Sequence, residues 1–305
     1  MAAKRKQPSE SSSDAGERLL LVDGHAHAYR AFFAIRGLTG PDGRPTNAIF
    51  GFRKALEKLH AALSPTHVAV IWDGGLAAER TDALPEYKAN RPAMPEALAE
   101  QLDDIAAWVE ARGWASLCAD GVEADDWIAA QARDAEAAGA DVLISSSDKD
   151  FLQLVTPRVR VVDPREREIR PLDPEAVREK TGVRPDQIVD WLSLIGDSAD
   201  NIPGVRGVGR KTATALLQRF DSCAGLYARL AEVTPERIRQ ALADSRELVQ
   251  RNRELIRLAP EAAVCRPLDE LAPREPDRDR LAALYERWGF RAAVEAPAPA
   301  QCELF

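Results

Sequence analysis

The stretch RLLLVD at residues 18–23 is a run of large apolar side chains that ends in an aspartate. The same pattern recurs as HVAVIWD at residues 67–73 and as DVLISSSD at residues 141–148. Such runs predict buried strands, and helical patterns alternate with them at residues 48–63, 95–112 and 123–138. This alternation predicts an α/β fold with a central, mostly parallel sheet that is covered by helices on both faces.

An aspartate stands at the end of each of these three strands, namely Asp23, Asp73 and Asp148. A single aspartate after a strand is a common turn residue. In open α/β sheets, however, ligands bind outside the carboxyl ends of the strands, where these side chains should converge. Three aspartates at matching positions therefore predict a shared site.

Composition limits the possible classes of protein. The chain has 305 residues, of which 45% are hydrophobic and 30% charged, a globular balance that suits one large or two ordinary domains. The net charge of −8 argues against a protein that coats nucleic acid by charge alone. The four cysteines form no CxxC pair, and no run of 18 apolar residues or signal peptide occurs. We therefore expect a cytoplasmic protein that does not bind membranes.

The pattern along the chain predicts four regions. Residues 1–17 are polar and Ser-rich and should form a disordered tail, followed by the α/β region at residues 18–183. Residues 184–290 are mainly helical, with a Gly-rich turn between two helices. Residues 291–305 are a Pro/Ala linker followed by a short motif.

Acidic residues are concentrated in a few further segments. GVEADDWIAA, at residues 121–130, contains Glu123, Asp125 and Asp126, which alone would suit the start of a solvated helix. SSSDKDF adds Asp150 beside Asp148, and IGDSADNIPG contributes an acidic pair at residues 197 and 200. The full set is nine carboxylates in five segments: Asp23, Asp73, Glu123, Asp125, Asp126, Asp148, Asp150, Asp197 and Asp200. Their mutual repulsion predicts bound cations.

A set of oxygen ligands suits Mg²⁺ or Mn²⁺, and the lack of a His/Cys cluster argues against zinc. His25 and His27, in DGHAH, are interpreted as local structural or substrate-contacting residues. Two Mg²⁺ ions can activate a water and stabilise the leaving oxygen during phosphodiester hydrolysis. The carboxylates therefore predict metal-assisted hydrolysis of a phosphate ester.

Residues 201–220 contain four basic residues and no acidic one, and they include GVRGVGRKTA at residues 204–213. This segment has the form of a helix-hairpin-helix turn, in which glycines let backbone amides approach DNA phosphates. The predicted DNA contacts are Gly204, Arg206, Gly207, Gly209, Arg210, Lys211 and Thr212. A glycine turn between two core helices is the alternative.

A second basic segment is EYKANRPAMP at residues 86–95. Tyr87 could stack on a base while Lys88 and Arg91 reach a phosphate, although an exposed polar loop is the alternative. Without the nine carboxylates the net charge is −8 + 9 = +1, so the rest of the chain is not acidic. The overall charge therefore does not exclude DNA binding.

Six segments, in this order, closely resemble the 5′ nuclease domain of bacterial DNA polymerase I and the related stand-alone 5′ to 3′ exonucleases and flap endonucleases. They are LLVDGHAHAYRAFFA, AVIWDGG, EYKANRPAMP, GVEADDWIAA, SSSDKDFLQLV and IGDSADNIPGVRGVGRKTA. The resemblance covers residues 18–290. It implies a PIN-like flap-endonuclease fold with a helical arch and a helix-hairpin-helix, here expected as a stand-alone protein without a polymerase domain.

The resemblance also implies the roles of individual residues. The first metal would be bound by Asp23, Asp73, Glu123 and Asp125 with support from Asp126, and the second by Asp148, Asp150, Asp197 and Asp200. Lys88 and Arg91 would act on the scissile phosphate from the arch, and Tyr29, Arg30 and Phe32 would contact nucleic acid near the active site. The helix-hairpin-helix would hold K⁺ through loop carbonyls. All nine acidic positions are filled, which favours an active enzyme.

The last five residues, QCELF, resemble the pentapeptide that binds the bacterial sliding clamp. Leu304 and Phe305 would fill an apolar pocket and Gln301 would bond at its rim. A frayed C-terminus is the alternative.

We therefore expect a monomeric, Mg²⁺-dependent 5′ nuclease, in which Mn²⁺ can replace Mg²⁺. Its substrates would be branched or nicked duplex DNA with a 5′ flap and RNA–DNA primer junctions. Three alternatives stay open on the sequence: a catalytically silent homologue that binds DNA structures, a PIN-like ribonuclease and a clamp adaptor.

Overall fold

The computed structural model describes residues 16–263 and 265–290. Most of the predicted N-terminal tail lies outside the described residues, as do Gln301, Leu304 and Phe305 of the predicted clamp motif. Within the described part of the chain, no helix combines the length and apolar character needed to span a bilayer.

The centre of the molecule is a five-stranded parallel sheet in the order β3-β2-β1-β4-β5. Its strands are β1 (Arg18–Asp23), β2 (His67–Ile71), β3 (Ala115–Leu117), β4 (Asp141–Ser145) and β5 (Val159–Val162). Strand β1 is central, with Asp23 beside Ile71 of β2 and Val22 beside Ser145 of β4. The three strands that precede the predicted aspartates are therefore neighbours, and their carboxyl ends share one edge.

The helices are α1 (Gly24–Ala34), α2 (Asn47–Leu63), α3 (Ala78–Ala83), α4 (Glu96–Ala111), α5 (Ala124–Ala137), α6 (Pro174–Thr181), α7 (Ile188–Ile195), α8 (Arg210–Phe220), α9 (Cys223–Ala228), α10 (Glu236–Asp244), α11 (Arg246–Ile256) and α12 (Arg278–Trp288). Alternate residues of β1 contribute to two apolar clusters: Leu20 and Val22 to one, Leu19 and Leu21 to the other. Because side chains alternate along a strand, helices cover both faces of the sheet, as predicted.

The helices after α6 pack against each other and against the sheet. One continuous apolar cluster extends from Leu19 of β1 to Leu217 of α8 and Leu255 of α11. Helix α12 packs against α4 instead, where the indole of Trp108 donates a hydrogen bond of 3.1 Å to the hydroxyl of Tyr285. The end of the predicted helical region, residues 184–290, thus lies against the α/β core.

Candidate active site

Asp23 joins the end of β1 to the start of α1. Its Oδ1 accepts a hydrogen bond from the backbone N–H of Ala26 at 3.0 Å and caps the helix, and its Oδ2 accepts one from the hydroxyl of Ser146 at 2.8 Å. The turn requires glycine next, because a Cβ on Gly24 would lie 2.5 Å from the ring of Trp72. Burial raises the pKa of Asp23 to about 6 despite these two hydrogen bonds.

A cleft of about 1040 Å³ opens at this edge of the sheet. Its acidic lining residues are Asp23, Asp73, Asp125, Asp148 and Asp197, and its basic ones are Arg30, Arg91, Lys149, Arg165, Lys180 and Arg210. Burial raises the pKa of Asp125 and of Asp148, and neighbouring carboxylates raise both further. The convergence predicted for the strand ends is therefore confirmed.

A second acidic group is formed by Asp150, Asp197 and Asp200, which are all buried and whose carboxylate oxygens lie within 4.8 Å of one another. Two backbone hydrogen bonds of 2.7 Å between Asp197 and Ile202 close the loop that presents two of these side chains. Burial, then Asp148, raises the pKa of Asp150 well above its ordinary value. Among the described residues, Asp150 Oδ1 has no hydrogen-bond partner. A buried, unpaired oxygen in an all-oxygen group fits a hard divalent cation.

Glu123 is held by the segment that joins β2 to α4, here called the arch segment (residues 74–95). Its Oε1 accepts a hydrogen bond from the N–H of Ala77 at 3.1 Å, and its Oε2 accepts one from Lys88 Nζ at 2.5 Å. Burial would raise the pKa of Glu123, but Lys88 and then Arg80 outweigh it, so the pKa is lowered. The carboxylate of Glu123 is therefore already neutralised by protein cations.

Asp126 lies outside the lining of the cleft, although its neighbour Asp125 is part of it. Successive residues on a helix point about 100° apart, which sends the two side chains in different directions. Both carboxylate oxygens of Asp126 accept 2.8 Å hydrogen bonds from Arg80, and Oδ1 also accepts one from the N–H of Ala259. The structure thus pairs Asp126 with Arg80, whereas the sequence grouped it with the metal ligands.

Three other cations pair with the acidic residues of the site. Lys88 Nζ donates to Glu123 and lies 3.9 Å from Asp125. Arg91 forms a salt bridge with Asp200 at 2.5 Å, and Lys149 forms one with Asp197 at 2.9 Å. Lys88 is buried, and its backbone has a positive φ of 55°. Lys149 was not predicted from the sequence as a partner of the acidic residues, although its position between two aspartates in SSSDKDF indicates one.

The structure corrects one predicted aromatic contact, that of Tyr87, and the contact of Phe32 stays a prediction. Tyr87 is only 4% exposed and packs in the core, so its ring offers no face to a base. Phe32 packs against the other apolar cluster, whereas Phe33 is 63% exposed and lines the cleft, with its ring 6.4 Å from that of Tyr29. Tyr29 and Phe33 are four residues apart, so helical periodicity could have identified this pair.

The predicted helix-hairpin-helix is formed by α7, the loop at residues 196–209 and α8. A Cβ on Gly204 would lie 2.2 Å from the carbonyl oxygen of Ile195, and Gly207 has a φ of 82°, so both positions require glycine. Gly209 is the residue that precedes α8. The side chains of Arg206, Arg210 and Lys211 are exposed, and Thr212 is half-buried. The loop and the first turn of α8 thus carry three exposed cations.

Two family models match the chain. The model described as "5′-3′ exonuclease, N-terminal resolvase-like domain" matches residues 18–182, and "5′-3′ exonuclease, C-terminal SAM fold" matches residues 183–279.

Bacterial DNA polymerases I are similar to this chain in sequence. DNA polymerase I of Bacillus caldotenax is 38% identical over 92% of this chain and 32% of its own length. Thermostable DNA polymerase I of Thermus thermophilus is 40% identical over 92% of this chain and 34% of its own length. The chain thus spans about a third of the length of these relatives.

The solved structures agree on the fold. A mutant T5 5′-exonuclease is 25% identical and has a TM-score of 0.64, with 88% of this chain and 99% of that chain covered. Since the first family model alone matches more than half of the residues, the chain belongs to the 5′-3′ exonuclease family.

Proposed function

We propose that this protein is a structure-specific 5′ nuclease, acting as a 5′ to 3′ exonuclease and a 5′ flap endonuclease on DNA with Mg²⁺ as its cofactor. The observation that carries the proposal is the group of Asp150, Asp197 and Asp200, with oxygens within 4.8 Å of one another, beside the cleft that is also lined by Asp23, Asp73, Asp125 and Asp148. The family supports the reaction class. The substrate structure and the choice of metal belong to the proposal.

In this proposal, Asp148, Asp150, Asp197 and Asp200 hold one metal ion, and Asp23, Asp73, Asp125 and Glu123 hold the other. Bound divalent ions would supply water activation and charge stabilisation for phosphodiester hydrolysis, and Mn²⁺ could replace Mg²⁺. Asp150 offers an oxygen that makes no hydrogen bond within the described residues. The carboxylate of Asp23 caps α1 and accepts a hydrogen bond from Ser146, so these two contacts hold its oxygens in one orientation.

Arg91 and Lys88 differ in how far their side chains are exposed. The side chain of Arg91 is 45% exposed and lines the cleft, so it is placed to meet a phosphate of the 5′ strand. Lys88 is buried against Glu123 and Asp125, so it must leave these carboxylates before it can reach the scissile phosphate. We infer that the arch segment moves when substrate binds.

The loop at residues 196–209 and the start of α8 would grip the backbone of the duplex, with K⁺ held by loop carbonyls. Arg206, Arg210 and Lys211 supply exposed positive charge there without reading sequence. Flaps and RNA–DNA primer junctions are the proposed substrates in replication and repair. A monomeric state, a cytoplasmic location and binding of the sliding clamp through Gln301, Leu304 and Phe305 are further parts of the proposal.

The test is a panel of 5′-labelled flap, nicked and gapped duplexes incubated with Mg²⁺, Mn²⁺ or a chelator. We expect cleavage near the flap junction that requires the metal and leaves a 5′ phosphate. An Asp150→Asn variant serves as the control, because it changes one oxygen of the acidic group and leaves the basic loop intact. Binding of flaps without cleavage by the wild-type protein in either metal would instead indicate the catalytically silent homologue.

A further inference from the structure

Arg80 is a buried arginine in the arch segment, on the short helix α3, and only 7% of its surface is exposed. Its two terminal nitrogens donate to the two oxygens of Asp126, each at 2.8 Å. Nη1 also lies 3.3 Å from Glu123 Oε1. Two backbone carbonyls accept the remaining hydrogen bonds: Leu255 from Nε at 3.2 Å and Arg257 from Nη2 at 3.3 Å.

These contacts join three parts of the fold at one guanidinium. Glu123 is the residue immediately before α5, and Asp126 lies in the first turn of that helix. Leu255 and Arg257 lie at the end of α11, where helix carbonyls lack partners and carry partial negative charge. Arg80 therefore connects the arch segment both to the start of α5 and to the helical region, and it contacts the Glu123 oxygen, Oε1, that Lys88 does not bond.

We propose that Arg80 is a positioning residue, which fixes the Glu123 carboxylate and holds the base of the arch segment in place, and that Asp126 is its buried counter-ion. The part of this proposal that concerns metal binding by Glu123 rests on the proposed function. The part that concerns the arch segment rests only on the contacts of Arg80.

The geometry shows why another residue cannot replace Arg80. A guanidinium presents five N–H donors in a planar fork, and here these donors reach two carboxylates and two carbonyls. Lysine keeps the charge but has one nitrogen, so it cannot satisfy Asp126 and the carbonyls at the end of α11 together. A residue that orients a metal ligand in this way commonly changes metal affinity or activity by about 10- to 100-fold when it is replaced.

The test must separate positioning from stability, because removing Arg80 alone leaves Asp126 buried without its partner. A double variant, Arg80→Met with Asp126→Leu, replaces the pair with apolar side chains of similar size, a change that buried ion pairs often tolerate. Arg253→Met is the matched control. It removes a partly buried arginine of α11, which donates a hydrogen bond of 2.7 Å to Asp190 of α7, outside the arch segment.

Three measurements are made on each protein: the thermal midpoint, amide hydrogen exchange of residues 74–95 without metal or DNA, and Mn²⁺ binding by electron paramagnetic resonance. In the double variant we expect a midpoint a few degrees below that of the wild type, because the N–H of Ala259 loses its bond to Asp126. Exchange in the arch segment should be at least about tenfold faster, and Mn²⁺ affinity about tenfold weaker. The Arg253→Met control should lower the midpoint and leave exchange and Mn²⁺ binding at their wild-type values.

Wild-type exchange and wild-type Mn²⁺ binding in the folded double variant would overturn the proposal. If the double variant does not fold, Arg80→Lys is used, for which we expect the same faster exchange and weaker Mn²⁺ binding. Wild-type exchange and Mn²⁺ binding in Arg80→Lys would then overturn the proposal. Faster exchange with unchanged Mn²⁺ affinity would overturn the role assigned toward Glu123. Failure of the proposed function is recognised separately, because the wild-type protein itself would then not cleave flaps.

Discussion

Replacing Asp23 with Asn is expected to stabilise the metal-free protein and to remove the proposed nuclease activity. Burial, assisted by Asp148 and Asp73, raises the pKa of Asp23 from 3.8 to about 6. The folded carboxyl thus binds its proton more tightly than the unfolded one. The contribution of Asp23 to the free energy of unfolding therefore falls as the pH rises from about 4 to about 6, and its full loss, about 3 kcal/mol, is present above pH 6.

Asparagine removes the charge and keeps the helix cap, because Asn and Asp are comparable N-cap residues. The hydroxyl of Ser146 donates to Asp23 Oδ2, and it would have to accept a hydrogen bond from the new amide instead, which costs about 1 kcal/mol. The expected net gain in the free energy of unfolding is about 2 kcal/mol above pH 6. Near pH 4 the gain should vanish, because the wild-type carboxyl is then protonated.

The assay is urea unfolding in EDTA at pH 8 and at pH 4.5, with Asp173→Asn as the matched control. Asp173 is exposed and caps α6 through the N–H of Ala176, so its replacement makes the same cap change without relieving a crowded charge. Excess Mg²⁺ should reverse the order at pH 8, because binding at 100 times the dissociation constant stabilises the wild type by about 2.7 kcal/mol. An Asp23→Asn variant that is no more stable than the wild type at pH 8 in EDTA would refute the reasoning.

Three further predictions concern other parts of the structure. Asp148→Asn should lower the cleavage rate, measured by single-turnover kinetics, at least about 100-fold. It should leave flap affinity in Ca²⁺, measured by fluorescence anisotropy, within a factor of about three of the wild-type value. Full Mg²⁺-dependent turnover by the variant would contradict the metal assignment. Gly204→Ala should weaken duplex binding and lower the free energy of unfolding by about 1–3 kcal/mol, because its Cβ would meet the carbonyl oxygen of Ile195 at 2.2 Å; unchanged binding and stability would contradict this. Burial lowers the pKa of His27 from 6.5 to about 4, so the contribution of His27 to the free energy of unfolding should fall by about 3 kcal/mol as the pH falls from 6.5 to 4, opposite in sign to that of Asp23. His27→Gln should remove that loss in urea titrations, and an unchanged pH dependence would contradict it.

The parts of the site that the sequence could predict are those fixed by regular structure. A parallel sheet places the carboxyl ends of neighbouring strands at one edge, so Asp23, Asp73 and Asp148 had to converge once their strands were identified. The glycines at positions 204 and 207 could be predicted because a tight turn and a positive φ tolerate few other residues.

The parts that could not be predicted lie where the backbone is irregular. The arch segment contains only one short helix, and Lys88 has a positive φ, so no periodicity indicates which side chains point inward. Tyr87 was therefore expected to be exposed, but it is buried. Arg80 likewise looks like an ordinary surface arginine in AERTDA, because its partners lie 46 and 175 residues away in the sequence.

The distribution of charge indicates where the protein requires metal. The expectation from the sequence was that the repulsion among the nine carboxylates requires bound cations. Four of them already have protein cations at hydrogen-bonding distance: Glu123 and Asp126 with Arg80 or Lys88, Asp197 with Lys149, and Asp200 with Arg91. Raised pKa values occur at Asp23, Asp125, Asp148 and Asp150, where burial and neighbouring carboxylates outweigh any cation nearby. Divalent ions would relieve the most repulsion beside these four residues, so the same crowding that weakens the metal-free fold would strengthen metal binding.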